Sequence, residues 1–214
     1  MQSPTKSPAF TLREASDTQA TERSVLVAGV AFIEGVATGW GCWELSGWFE
    51  EHLVSTGRIH NIPPVVTEEG FGFISIDARR SGGIAHRDQA AAALAQLPKL
   101  LATARARVVD ALRAFLPPRC DDRFLRAALY AGRVERKPVG HDVAWLSTPR
   151  ETDRLSDVVL SLFAADALTH REFHEANLCV CEACGRVSFD PAAVPRTGCR
   201  VHARGQSGGF PASS

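Results

Sequence analysis

The chain has 214 residues, 45% of them hydrophobic and 22% charged, which suits one domain with a buried core and a small appendage but not two full domains. Its 24 basic and 24 acidic residues give zero net charge, which excludes a histone-like basic protein and an acidic solvating protein. Residues 1–23 are rich in Ser, Thr, Pro and Gln and lack the apolar segment of a secretory signal, so we expect them to be disordered. We therefore expect a cytoplasmic, bacterial protein whose six cysteines bind metal or pack in the core rather than form disulfides.

The first third of the chain is predicted to be mostly β-structure. The apolar, β-branched run 25–33 predicts a strand, and a turn would lead into a second strand over 36–43. The glycines of this region and the central Glu34 favour two buried strands over a membrane span. A short helix is expected over 48–53. Residues 65–67 and 71–76 then predict a hairpin.

The middle of the chain is predicted to be helical, because residues 86–116 are dominated by Ala, Leu, Arg and Gln. Pro98 should divide this stretch and open a second helix, since a proline at the first turn loses no hydrogen bond. Pro117 and Pro118 should end that helix. Its predicted buried face consists of Leu101, Ala104, Val108, Leu112 and Phe115.

Three more elements are expected before the C-terminal region. Asp121 or Asp122 can cap a helix that runs to about Ala131, and residues 133–146 should be extended. A further helix should follow Pro149, and residues 169–176 should prolong it or form a short helix of their own. Its predicted buried face consists of Leu155, Val158, Val159, Leu162 and Ala165.

The most specific motif lies near the C-terminus. Cys181 and Cys184 are separated by two residues and followed by Gly185. Fourteen residues lie between Cys184 and Cys199, and two residues again separate Cys199 from His202. Two intervening residues let both ligands of a pair point at one ion from a tight turn, and glycine suits the left-handed backbone of such a turn. Three thiolates and one imidazole form a closed tetrahedral set for a structural Zn²⁺.

This pair of motifs resembles a zinc ribbon, or more loosely a rubredoxin-type pair of knuckles. The resemblance covers residues 178–204 alone, and it implies a structural zinc site without implying a function. A treble clef is less favoured, because the residues after His202 are a poor helix. Buried free thiols, a redox dithiol of Cys181 and Cys184, and an iron site completed by Cys179 stay open as alternatives.

Two weaker patterns allow more than one interpretation. Asp166, His170 and His174 share one face of a predicted helix, as a second metal site would require, although a solvated helix face is favoured. Trp40, Trp43 and Trp48 could form the aromatic wall of a ligand pocket, although a core cluster beneath a sheet is favoured.

The overall expectation is an α+β fold: a mixed domain over 24–176 with N-terminal β-hairpins and a helical middle, a zinc ribbon over 177–204, and a flexible tail over 205–214. Charge is segregated, because residues 34–77 are acidic and residues 99–150 are basic. The favoured interpretation is that these two regions face each other or solvate their own surfaces, and the alternatives are a charged surface for a partner or a basic helical face for nucleic acid.

The favoured function is a non-enzymatic, zinc-binding adaptor or regulatory protein that acts through protein–protein contacts. The first alternative is a zinc-containing nucleic-acid-binding regulator, supported by a set of arginines in the middle and ribbon regions: Arg105, Arg107, Arg113, Arg119, Arg123, Arg126, Arg186, Arg196, Arg200 and Arg204. The second alternative is an enzyme with a pocket in the Trp-rich region, for which no catalytic residue can be named.

Overall fold

In a computed structural model of the chain, the described residues are 25–59, 84–139, 142–150, 153–189, 199 and 202. The helices are α1 over residues 25–37, α2 Cys42–Phe49 with a π-helical continuation Glu50–Val54, α3 Ile84–Phe115, α4 Arg123–Tyr130, α5 Leu155–Thr169 and α6 Arg171–Asn177. The strands are β1 Val134–Val139, β2 Asp142–Ser147, β3 Cys179–Val180 and β4 Val187–Ser188. Each consecutive pair of strands forms an antiparallel ladder, so the described fold is a mixture of helices and small strand pairs, as the α+β prediction expected.

Helix α5 is the centre of the hydrophobic core. Its predicted apolar face is buried as expected, and Val158, Val159, Leu162 and Phe163 are all inaccessible to solvent. The helix packs against α3, α4, α6 and the β1–β2 hairpin. A helix that is apolar on nearly every side can only be stable when other elements surround it in this way.

The prediction of two strands over 25–33 and 36–43 is wrong, because the chain forms α1 and α2 there. Val25, Ala28 and Phe32 are buried at helical spacing, while Val27 is 58% exposed. The exposed face of α1 is thus apolar too, which makes the helical period hard to distinguish from a continuous strand-like run. The short helix expected over 48–53 lies at the end of α2 and in its π-helical continuation.

Helix α3 is a single helix, so the predicted division at Pro98 is also wrong. Leu97 and Leu101 are both buried, which means that the core-facing side of α3 continues across the proline. The burial of Leu97 and Leu101 offsets the loss of the backbone hydrogen bond that Pro98 cannot donate. The predicted buried face of α3 is confirmed, and the helix ends at Phe115, two residues before Pro117.

The remaining expectations for the middle of the chain are confirmed. Asp121 accepts a hydrogen bond of 3.0 Å from the backbone N–H of Arg123 at the start of α4. Residues 134–139 and 142–147 form the antiparallel strands β1 and β2, in which Val134 pairs with Ser147. Helix α6 is a short helix of its own after α5. The segment 1–23, the hairpin over 65–76 and the tail 205–214 lie outside the described residues.

Among the described residues, no helix has both the length and the apolar character needed to cross a membrane.

A glycine in α1 allows its close contact with α5, and this gives a test of the helical packing. A Cβ atom at Gly29 would lie 2.7 Å from a ring carbon of Phe163, whereas one at Gly47 in α2 would meet nothing within 4 Å. We expect Gly29→Ala to destabilise the fold by about 1–3 kcal/mol through overpacking. Gly47→Ala should stabilise it by about 0.5–1 kcal/mol. Chemical denaturation of the two variants measures both effects, and equal stabilities would contradict the helical assignment of 25–37.

Candidate metal centre

The first pair of cysteines lies in a tight turn between β3 and β4. The backbone N–H of Cys181 donates to the carbonyl of Arg186 at 2.9 Å, and that of Gly185 donates to the carbonyl of Cys181 at 2.8 Å. Gly185 has a φ of +67°, in the left-handed region that the sequence analysis expected for a knuckle. We call residues 181–185 the first knuckle.

The second pair is supplied by Cys199 and His202. The backbone N–H of His202 donates to the carbonyl of Cys199 at 2.9 Å, which closes a turn between the two. The imidazole presents its Nδ1 atom to the sulfur atoms: Nδ1 lies 3.2 Å from Sγ of Cys199 and 3.5 Å from Sγ of Cys181. A turn of this size brings both side chains to the same side of the backbone.

The ligand atoms of Cys181, Cys184, Cys199 and His202 all lie within 4.8 Å of one another. The Sγ atoms of Cys184 and Cys199 are 3.8 Å apart. A tetrahedral Zn²⁺ with 2.3 Å bonds to sulfur would separate two thiolates by about 3.8 Å and a thiolate from an imidazole nitrogen by about 3.6 Å. These four residues could therefore hold one metal ion. We call them the Cys₃His cluster.

Hydrogen bonds within the first knuckle favour the thiolate form of Cys181. Burial acts to raise the pKa of the Cys181 thiol, but hydrogen bonds from the backbone N–H and the thiol of Cys184 and from the backbone N–H of Ala183 outweigh it, so this pKa lies below its ordinary value. For Cys184, burial is the largest influence and raises the pKa of the thiol. The two thiols of one knuckle are thus driven in opposite directions, and a bound cation would favour the thiolate form of both.

Two arginines of α3 bind the carbonyl groups of the first knuckle. Nη2 of Arg113 donates to the carbonyls of Cys181 and Glu182 at 2.7 and 2.9 Å. Nη2 of Arg105 donates to the carbonyl of Cys184 at 2.7 Å, and its Nε donates to the carbonyl of Ile33 in α1 at 2.9 Å. We call this pair the arginine clamp. It joins the knuckle to two helices of the core.

The clamp leaves little space between α3 and the knuckle. Val109 lies between the two arginines, and a Cβ atom at Gly185 would come within 3.1 Å of its side chain. Residues 105, 109 and 113 are four apart, so they form one stripe along α3. Position 185 therefore favours glycine for two reasons: the backbone of the turn is left-handed there, and α3 leaves little room for a side chain.

Apolar side chains on both sides of the knuckle belong to the main core. Leu178, Val180 and Val187 are at most 1% exposed and pack in the same cluster as α3 and α5. Phe189, which follows β4, contacts the ring of His174 at a centroid distance of 4.9 Å. The strands around the first knuckle are thus part of the core packing.

The other predicted metal-site candidates are placed differently. His174 is only 1% exposed, so the solvated face expected for it is wrong, and its Nε2 pairs with a carboxylate oxygen of buried Asp166. His170 is exposed at the end of α5. Neither histidine, nor Cys179, belongs to a group of three or more potential ligands within the described residues.

Two of the three clustered tryptophans lie in or against the core, as the favoured interpretation expected. Trp48 is buried, and its Nε1 donates to the carbonyl of Ala28 at 2.9 Å, while Trp40 packs against Phe32. Trp43 is 63% exposed. The elements around this cluster are helices rather than the expected sheet.

The arginine clamp is the part of the site that sequence reasoning missed. Their charge places Arg105 and Arg113 among the arginines of the predicted nucleic-acid surface. The available signal was their spacing of eight residues on the face next to the buried stripe, but their partners lie 79 and 68 residues away. No local pattern identifies backbone carbonyls at such a separation.

Comparisons of the chain with protein-family models, with curated proteins and with solved structures gave no significant match.

The arginine clamp predicts that a residue that is not itself a ligand controls metal affinity. We expect Arg113→Met to weaken zinc binding by about tenfold, because outer-shell partners orient the ligands. The matched control is Arg107→Met, an exposed position on the same helix. Competition with a colorimetric zinc chelator measures both affinities. Equal affinities would show that the clamp does not support the cluster.

Proposed function

We propose that this chain is a non-enzymatic, zinc-binding adaptor or regulatory protein, in which a structural Zn²⁺ organises the C-terminal region on a helical core. The observation that carries the proposal is the convergence of one nitrogen and three sulfur ligand atoms within 4.8 Å. Among common biological cations, this soft tetrahedral set favours zinc.

A structural role for the ion follows from the number of ligands. Four protein ligands fill a tetrahedron, so no position is left for a water molecule to be activated for hydrolysis. Zn²⁺ with three thiolates and a neutral imidazole carries a net charge of about −1, which the guanidinium groups of Arg105 and Arg113 can offset. Such a centre stabilises a fold rather than performing chemistry on a substrate.

The local structure also supports the zinc-ribbon interpretation. Strands β3 and β4 form a two-stranded hairpin around the first knuckle, with Cys179 paired with Ser188 and Val180 paired with Val187. Cys199 and His202 form the second turn. We propose that residues 177–204 together form a zinc ribbon docked on the core.

The adaptor proposal rests on the surface that remains around this core. Tyr130 is 91% exposed and Leu129 is 39% exposed at the end of α4, and Trp43 is exposed on α2. Exposed aromatic side chains of this kind often provide the anchor residues of protein interfaces. We propose that the end of α4 contacts a protein partner.

The nucleic-acid alternative is less well supported, because several of its arginines have other partners. Arg105 and Arg113 bind the knuckle, whereas Arg123 and Arg126 form ion pairs with Asp121 and Asp122. Phosphate binding depends on cationic groups that can replace counterions along the backbone, and an arginine already paired with a carboxylate is less suited to this.

The zinc proposal predicts one Zn²⁺ per chain. Cys181→Ser, Cys184→Ser, Cys199→Ser and His202→Ala should each reduce the bound zinc, since every one removes a quarter of the ligand set. Limited proteolysis of Cys181→Ser should show faster cleavage in the C-terminal region, while the helical core survives. Elemental analysis of the purified protein measures the zinc content.

Cys42→Ser and Cys120→Ser are the matched controls, because both cysteines lie outside the Cys₃His cluster. They should retain full zinc. Folded wild-type protein with a substoichiometric zinc content after zinc loading would contradict the proposal.

The class of partner can be tested with a photo-crosslinking amino acid placed at Tyr130 or, as a comparison, at the exposed Arg107 on α3. The adaptor proposal predicts discrete adducts from position 130 that are resistant to nuclease and destroyed by protease. The nucleic-acid alternative predicts nuclease-sensitive adducts from position 107. That second pattern, without protein adducts at 130, would overturn the adaptor proposal.

A further inference from the structure

A cavity opens onto one side of the Cys₃His cluster. It has a volume of about 230 Å³ and lies between the C-terminal part of α1, Arg105 and the cluster. Since a water molecule occupies about 30 Å³ of liquid, the cavity has room for several small polar molecules. Cys184, Cys199 and His202 all line it.

The cavity gives the cysteines of the cluster unequal access to solvent. Cys184 is partly exposed and borders the cavity together with Cys199, whereas Cys181 is 1% exposed and is not among the lining residues. The Sγ atoms of Cys184 and Cys199 lie 3.8 Å apart. A disulfide requires a sulfur separation of about 2.05 Å, so these two side chains must rotate toward each other for the bond to form.

Three charged side chains border the cavity. Arg105 and Arg186 line it, and Glu34 pairs with Arg186 at 3.5 Å. A cysteine sulfur that binds Zn²⁺ is a thiolate, and the thiolate is the form that reacts with peroxides.

We propose that Cys184 and Cys199 form a peroxide-reactive pair whose oxidation releases the metal. This inference rests on the proposed function, since the release of metal requires zinc in the cluster. The Cys184 thiolate attacks hydrogen peroxide, the O–O bond breaks, and a sulfenic acid and a hydroxide ion form. The Cys199 thiolate then attacks that sulfur, and a disulfide forms as a second hydroxide ion leaves. Two electrons pass from the two thiolates to one peroxide molecule.

The consequence for the metal follows from the remaining ligands. After this reaction Cys181 and His202 alone are left of the four, and two ligands do not hold a closed tetrahedral zinc site. Zn²⁺ therefore leaves as the hydrated ion. A thiol reductant restores both thiolates and allows zinc to bind again.

The test uses full-length, zinc-loaded protein in a Cys42→Ser, Cys120→Ser background, which prevents unrelated disulfides. The protein is treated with hydrogen peroxide, zinc release is followed with a metallochromic dye, and disulfides are mapped by mass spectrometry. We expect one Zn²⁺ released for each Cys184–Cys199 disulfide, and full zinc binding after reduction. A disulfide between Cys181 and Cys184, or zinc retention in excess peroxide, would overturn the inference.

A variant that fills the cavity tests whether hydrogen peroxide reaches the cysteines through it. Ala37→Phe places a ring in the cavity from the exposed end of α1, and Ala127→Phe adds the same ring at an exposed position of α4. We expect Ala37→Phe to slow zinc release at least about fivefold, because oxidation follows access to the thiolate, and Ala127→Phe to leave it unchanged. Equal rates in the two variants would contradict access through the cavity.

The same samples separate the two proposals. Zinc content is measured before peroxide is added, so a chain that binds no zinc contradicts the proposed function. The disulfide map of that zinc-free protein would still decide whether Cys184 and Cys199 are the reactive pair.

Discussion

Four ligand atoms from two separate turns have to meet at one point, and the C-terminal part of the molecule is arranged around that requirement. The first knuckle is held by its own backbone hydrogen bonds and by the left-handed Gly185. Two guanidinium groups then fix its carbonyls against α3. Because two of those carbonyls belong to Cys181 and Cys184, the position of the Cys₃His cluster depends on the same helix that forms one side of the core.

Arginines in the basic middle of the chain connect separate parts of the fold. Arg105 binds a carbonyl of α1 as well as one of the knuckle, so one side chain joins three parts of the molecule. Arg133 similarly binds Asp153 and Asp157 and connects the start of β1 with the start of α5. Arginines of the basic middle region are therefore used in contacts within the fold.

The sequence was most informative where the relevant chemistry is local. The spacing of Cys181, Cys184, Cys199 and His202 predicted the cluster because each pair fits within one turn, and the apolar stripes of α3 and α5 predicted their buried faces. The helical state of α1 was not predictable in the same way, since its exposed face carries Val27.

Two further features depend on packing that no short pattern records. Helix α3 continues through Pro98 because Leu97 and Leu101 are buried on either side of it. His174 is buried because it pairs with Asp166 and packs against Phe189, although its position four residues after His170 resembles a solvated or metal-binding face. In each case burial against other elements decides the outcome, and the spacing of residues along one segment does not record that burial.

The central claim is that one imidazole and three thiolates surround a single zinc ion. X-ray absorption at the zinc edge tests it most directly, because the fine structure counts the sulfur and nitrogen neighbours and measures their distances. The account predicts three sulfur atoms at about 2.3 Å and one nitrogen at about 2.0 Å. Four sulfur neighbours would place Cys179 in the site instead of His202, and a shell of oxygen or nitrogen without sulfur would contradict the Cys₃His cluster altogether.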